Sequence, residues 1–227
     1  MPADTVGHGA AGARVAAALR DEILDGVYGP GARIRQEDLA DRYHASRVPV
    51  REALRILEAE GLVRRVANAG AWVSHLNSAE CDELYRVRER IEPLLLRMNL
   101  PLLGADDLAV LDDLADRMEA AADADAFITL DRRFHLLTYS AAATTMLTAT
   151  VTQLWNRTQH YRRAFVRVAR SVGDSTANYD HRLLIAAIRR ADADEAESVL
   201  ARHIRRTRLE LERHPEVFDA PASTEGH

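Results

Sequence analysis

In the stretch LDRRFHLLTYS, Asp131 and His135 stand four residues apart, so on a helix both side chains leave the same face. His181 opens HRLLIAAIRR, and His203 lies within VLARHIRRT. Each histidine interrupts or borders an apolar stripe: Leu130, Phe134 and Leu137; Leu184, Ile185 and Ile188; Val199, Leu200 and Ile204. One carboxylate and three imidazoles turned into a helical core could hold a divalent cation, with the acid ionised and the rings neutral. Neighbouring carbonyls or acids would have to fix the tautomer of each ring. Spacing alone leaves a plainer alternative open, in which Asp131 and His135 form an i,i+4 surface pair and the other histidines are simply hydrogen-bonded. His8, His44, His75, His160, His214 and His227 show no comparable pattern.

A second group of residues suits a different chemistry. Ser46 to Gly61 reads SRVPVREALRILEAEG. Ser46 can cap a helix by accepting a bond from a first-turn amide, and Pro49 sits where its missing N–H costs nothing. Val50, Ala53, Leu54 and Leu57 recur at i, i+3, i+4 and i+7, so one side of this helix must be buried. Arg47, Arg51 and Arg55, spaced by four, form a cationic stripe beside it. A short helix with a buried side and arginines near its N-terminus fits a DNA major groove. The competing reading is a solvated helix whose arginines pair with Glu52 or Glu58; Glu58, at i+3, is the partner expected for Arg55.

The elements that must position these groups divide the chain. Residues 1–12 are small and polar and are expected as a flexible arm. Val15, Leu19 and Ile23 mark a first amphipathic helix, which Gly26 and the Tyr28-Gly29-Pro30-Gly31 turn bring to an end. A second short helix over residues 36–43 leads through His44-Ala45-Ser46 into the arginine-bearing helix, a helix-turn-helix order. Two β-prone runs, 62–66 and 71–73, flank Asn68-Ala69-Gly70 as a hairpin wing would, with Arg64 and Arg65 near the nucleic-acid backbone. The domain so built covers residues 13–76. Residues 77–214 read as six helices, approximately 78–99, 105–122, 124–142, 144–167, 175–191 and 193–213, and 215–227 as a flexible tail. The fold class is therefore mainly α: a winged helix-turn-helix of three helices and a β-hairpin, followed by an all-α bundle.

Composition sets the outer bounds. A net charge of −5 argues against a protein coated in nucleic acid, but residues 1–76 are neutral and the remainder carries the whole excess. There is no apolar run of ~18 residues for a membrane span and no basic-then-apolar leader at the N-terminus. Cys81 is the single cysteine, so no internal disulfide can form and a reducing, cytoplasmic setting is expected.

The segment GVYGPGARIRQEDLADRYHASRVPVREALRILEAEGLVRRVANAGAWV closely resembles the winged helix-turn-helix of GntR-type bacterial transcription regulators. The resemblance implies that Arg47 and Arg51 contact bases and phosphates of a double-stranded DNA operator, with Ser46, Pro49 and Gly70 close to its backbone. Arg35, Arg55 and Arg64 complete the expected DNA-binding set. Further on, ELYRVRERIEPLLL, LDRRFHLLTYSAA and DHRLLIAAIRRADADEAESVLARHI resemble the helical FCD-type effector-binding domain of the FadR subgroup, in its shorter, VanR-like form. That resemblance implies a metal ion, zinc with nickel or manganese as alternatives, on Asp131, His135, His181 and His203. It also implies that Arg88 approaches a carboxylate effector, against the alternative of a surface ion pair with Glu92. Ala143-Thr144 and Asp180 depart from the family pattern of Gly-Asn and Glu, although Thr144 can still cap a helix and Asp180 keeps the charge. The expected function is a homodimeric, ligand-responsive regulator, most simply a repressor released from a palindromic operator by a small organic acid. The rival is a metal-dependent hydrolytic enzyme using the Asp/His cluster. It lacks a paired general base and nucleophile at recognisable spacing.

Overall fold

A computed structural model describes residues 4–66 and 70–218, with side chains from residue 10 onward. They form two compact units. One comprises the chain up to Leu76 with Thr152–His160; the other comprises Asn77–Val151 with Tyr161–Phe218.

The first unit contains α1 (Asp4–Leu24), β1 (Arg33–Ile34), α2 (Gln36–Arg42), α3 (Arg47–Ala59), β2 (Val63–Val66) and β3 (Gly70–Val73). Leu19 and Ile23 of α1, Leu39 of α2, and Val50, Leu54 and Leu57 of α3 close on one another and are fully buried. The expected arm at residues 4–12 is helical instead. Gly12 is buried, and a Cβ there would come within 2.8 Å of Glu52, so the packing of α1 on α3 extends that far. The wing is a three-stranded antiparallel sheet in the order β1-β3-β2, with Arg33 opposite Trp72 and Arg64 opposite Trp72 on its other edge. The two-residue β1 was not expected, because a bridge that short has no readable alternation. Asn68 and Ala69 of the expected wing turn lie outside the described residues.

The turn between α2 and α3 is tight because His44 takes a left-handed conformation, φ 48°. Ser46 holds the position before α3 with extended backbone, but its side chain makes no capping bond, contrary to expectation.

The second unit contains α4 (Ser78–Asn99), α5 (Ala105–Glu119), α6 (Ala124–Leu137), the flanking parts of α7 (Leu147–Ser171), α8 (Thr176–Arg189) and α9 (Ala193–Arg213). Asn77 and Glu80 form a reciprocal capping box at the start of α4, both bonds 2.9 Å. The α4 helix packs along α9, α5 along α6 and α8, and α8 along α9. Leu95, Leu111, Leu114, Ile128, Phe134, Leu184, Leu200 and Leu211 fill the interior. The α6 helix ends five residues before the expected boundary. There the Thr138 hydroxyl donates to the His135 carbonyl, and Asn99 Oδ1 accepts from the Ala141 amide. The next helix, α7, begins three residues after the expected boundary with Met146 at its N-cap and no side-chain capping bond there, although the Thr144 hydroxyl, two residues earlier, accepts from the Thr148 amide at 2.9 Å. Of the expected tail, Pro215–Phe218 is a 3-10 turn with Phe218 stacked on Tyr161, and the last nine residues lie outside the described part. No helix among the described residues is long and apolar enough to cross a membrane.

Candidate metal centre and nucleic-acid interface

The amphipathic pattern of α6 turns Asp131 and His135 inward, and α8 and α9 bring His181 and His203 to the same point. Their ligand atoms all lie within 4.8 Å of one another. Asp131 Oδ1 is 3.2 Å from His181 Nε2 and 3.6 Å from His135 Nε2, and the two Nε2 atoms are 3.3 Å apart. Ligands on a tetrahedral zinc at ~2.1 Å stand about 3.4 Å from one another, so this triangle fits the edges of such a shell. The i,i+4 pair read from the sequence does form, but in the interior: Asp131, His135 and His181 are all buried.

The surrounding electrostatics set Asp131, His135 and His203 in their ligating forms. Burial pushes the His135 ring down to about 4 against the opposing pull of Asp131, and pushes His203 down to about 3 against Asp180. Both imidazoles are therefore neutral near pH 7, with a lone pair to give. Burial raises the Asp131 carboxyl, but Arg162 and the two histidines outweigh it and hold the acid well below its usual range. His203 Nδ1 donates to Asp180 Oδ2 at 3.2 Å, which leaves its Nε2 for the cluster. Asp180 is held in turn by Arg206 at 3.1 Å and Arg202 at 3.5 Å. The donor set therefore fits a divalent cation in type, charge and spacing.

Sequence reasoning missed Arg162, whose guanidinium bonds directly to Asp131 Oδ2. Burial lowers its pKa, Asp131 opposes that, and the charge of Arg88 lowers it further. Nothing in the linear pattern of α7 pairs Arg162 with a residue thirty-one positions earlier. Arg88 does not form the surface ion pair of the alternative reading. It pairs with Glu92 at 2.5 Å, as its spacing allows, but the pair is buried rather than on the surface. Its guanidinium lies 4.7 Å from the centre of the Tyr85 ring, and Glu92 also accepts the Tyr139 hydroxyl at 2.9 Å. Arg88, Arg162, Glu92 and Asp131 thus make a buried charge-balanced group beside the cluster.

On the first unit, Ser46, Arg35, Arg47, Arg51 and Arg64 are exposed. Arg47 is 68% exposed and lies 3.6 Å from Glu37; Arg51 has only a 3.4 Å bond to Gln36 Oε1. Arg55 is different, because both arms of Glu52 hold it at 2.7 and 3.0 Å. Glu58, the expected partner, is taken by Arg65 of the wing. Pro49 is buried and therefore belongs to the packing of α3. Gly70 begins β3 at φ 124°, a conformation that favours glycine.

A winged helix-turn-helix whose third helix exposes arginines, followed in the chain by a helical bundle with a buried Asp/His cluster, defines a class of DNA-binding transcription regulator. Residues 11–73 match the family described as bacterial regulatory proteins, gntR family, and residues 83–206 match the FCD domain. The chain is 30% identical to the HTH-type transcriptional regulator McbR of Escherichia coli K12, over 81% of this chain and 84% of that protein. The solved structure of E. coli McbR/YncC superposes with a TM-score of 0.75 at 25% identity, covering 90% of this chain and 98% of that one. The gluconate operon transcriptional repressor of Bacillus licheniformis is 29% identical over 81% of this chain and 77% of its own length. A shorter match, 30% identical, joins 52% of this chain to 55% of the uncharacterized regulator YdhC of Bacillus subtilis. The chain belongs to the GntR family and carries an FCD domain. It is a transcription regulator, and the hydrolytic-enzyme alternative has no support among its relatives.

Proposed function

We propose that this regulator is a homodimeric repressor that binds a palindromic operator in the cytoplasm and releases it when a small carboxylate reaches the metal centre. The observation that carries the reading is the convergence of Asp131, His135, His181 and His203 on one buried point, with Asp131, His135 and His203 in their ligating protonation states. Zinc suits this donor set best, with nickel and manganese as alternatives. A cation held there supplies a Lewis-acid seat for one oxygen of a carboxylate. The protein's own part is to bind and orient the acid. Arg88 and Arg162 stand beside the cluster, and their planar forks match a carboxylate. Each is already paired, Arg88 with Glu92 and Arg162 with Asp131, so an incoming acid has to share a guanidinium with a buried carboxylate, and the charge of a cation held at the cluster would compensate it.

The exposure of Arg47 and Arg51 supports their role in reading DNA, with Arg35, Ser46, Arg64 and Gly70 nearer the backbone. A single recognition helix reads only a few base pairs, and two-fold symmetry doubles the site. The acid releases the operator only to the extent that it binds one pose of the dimer more tightly than the other.

Metal analysis and gel shifts test this reading together. Wild-type protein should carry about one equivalent of metal and retard DNA flanking its own gene, and His135→Ala/His181→Ala should lose the metal. Equal trace content in both proteins removes the metal from the proposal. Binding that survives Arg47→Ala/Arg51→Ala with unchanged affinity and preference removes the recognition helix.

A further inference from the structure

A cavity of about 250 Å³ opens among the C-terminal part of α7, the start of α8 and α9, and contains none of the four cluster residues. Phe127, Phe165 and Ala169 give it an apolar wall, and Arg170, Asn178 and Arg206 bring polar groups to it. The polar side is incomplete. Asn178 Oδ1 is buried without a donor, and Arg206 Nε and Nη1 are buried without a hydrogen-bond acceptor, although Asp180 Oδ2 lies 3.1 Å from Nη1. Buried polar atoms almost always have partners, so these define what is missing: an acceptor for a guanidinium and a donor for an amide oxygen. The acids on the lining have no such need. Arg182 holds Glu119 at 2.7 Å, and Asp174 accepts from the Thr176 amide and hydroxyl at 2.8 and 2.5 Å.

We infer that this cavity is a second small-molecule site of the helical domain, taking a hydroxy or amino acid with an apolar side chain. The carboxylate pairs with Arg206, the hydroxyl or ammonium group donates to Asn178 Oδ1, and the side chain lies against Phe127 and Phe165. The volume falls just below the ~300–1,000 Å³ of sites for drug-sized ligands, which limits the occupant to a small acid. This site is separate from the effector seat beside Arg88 and does not require a metal. It is not isolated from the cluster, however. Arg206 also holds Asp180, the acid that orients His203, and Phe127 stacks against His181 at 6.4 Å between ring centres. An acid that engages Arg206 therefore acts on the support of a metal ligand.

The test is calorimetric titration of the full-length protein with 3-phenyllactate and with 3-phenylpropionate, which lacks the hydroxyl. Phenyllactate should still bind His135→Ala/His181→Ala, shifted by less than about tenfold from wild type through the Arg206–Asp180–His203 link, and phenylpropionate should bind wild type at least about tenfold more weakly. Ala169→Trp fills the cavity and should abolish binding. Arg206→Met keeps the apolar stem and should weaken binding at least about tenfold, which provides a readout should the tryptophan variant misfold. Absence of binding to wild type at millimolar concentration overturns the inference. So does binding that survives Ala169→Trp but disappears with the two histidines, which would place the acid at the cluster. Metal-free wild type would defeat the metal proposal and leave this binding intact.

Discussion

Asp180→Asn isolates the support of the metal centre from the ligands themselves. The carboxylate accepts the His203 Nδ1 proton at 3.2 Å and is only 9% exposed, so little water is available to replace it. Asparagine keeps the shape and one acceptor oxygen but removes the charge, and a charge-assisted bond is roughly twice as strong as a neutral one. Outer partners of this kind are worth about 10–100-fold in metal affinity, or about 1.4–2.7 kcal/mol. The His203 ring is already neutral at pH 7.5, its pKa lowered to about 3, so displacement of a proton from that ring does not mask the effect. Zinc affinity measured by competition with a chromogenic chelator should therefore fall ten- to a hundredfold. His203→Gln, which removes a ligand outright, should fall further. Thermal melting of the metal-free proteins supplies the control, since Arg202 and Arg206 lose their shared partner in the variant. If folded Asp180→Asn protein binds zinc within about twofold of wild type, Asp180 does not orient His203 toward a metal.

Four further outcomes rest on the same geometry. Arg51→Ala should weaken operator binding by about 1–3 kcal/mol in gel shifts, whereas Arg55→Ala, whose charge Glu52 already holds, should change it by less than about threefold. If Arg47 contacts phosphate, Arg47→Ala should also flatten the plot of log affinity against log salt by about 0.9 per lost contact. Arg88→Met leaves Glu92 charged and fully buried and should cost about 3–5 kcal/mol in urea unfolding, much of it recovered in Arg88→Met/Glu92→Leu. Metal-stripped protein should lose stability in acid. His135 and His203 titrate at about 4 and about 3 when folded, against ~6.5 unfolded, so the folded state binds fewer protons over that window. Their stabilising effect is complete above pH ~6.5 and declines as pH falls, by about 2 kcal/mol per ring between pH 7.5 and 5.0, readable from urea midpoints.

Much of this architecture was legible because it rests on periodicity and capping, which are local. The burial of Val50, Ala53, Leu54 and Leu57, the cap at Asn77 and the inward face of Asp131 and His135 all arise from spacing within one helix. What could not be read involves distant partners. The β1 strand exists only because Arg33 and Ile34 find β3. The start of α1 is ordered around Gly12, where only a small residue fits against Glu52. Arg162 looks like any arginine of a polar helix until α6 places Asp131 against it.

The arginines show the limit most clearly, because every basic residue in this chain is arginine and composition cannot rank them. Arg51 and Arg55 sit one turn apart on one stripe, yet one is left to Gln36 and the other is neutralised by Glu52. The sequence offered Arg55 two carboxylates, at i−3 and i+3, and the choice was made elsewhere. Arg65 of the wing claims Glu58 with its backbone amide and its side chain, so Glu52 alone remains for Arg55. The wing therefore does more than extend the proposed DNA-binding surface. By occupying Glu58 it fixes which carboxylate neutralises Arg55, while Arg47 and Arg51, at the N-terminal end, stay weakly paired and are the cations proposed to exchange their present contacts for phosphate or guanine. Arg65→Ala should accordingly free Glu58 to compete for Arg55 while leaving the first turn of α3 unchanged. Operator affinity should then fall only by the contact that Arg65 itself makes.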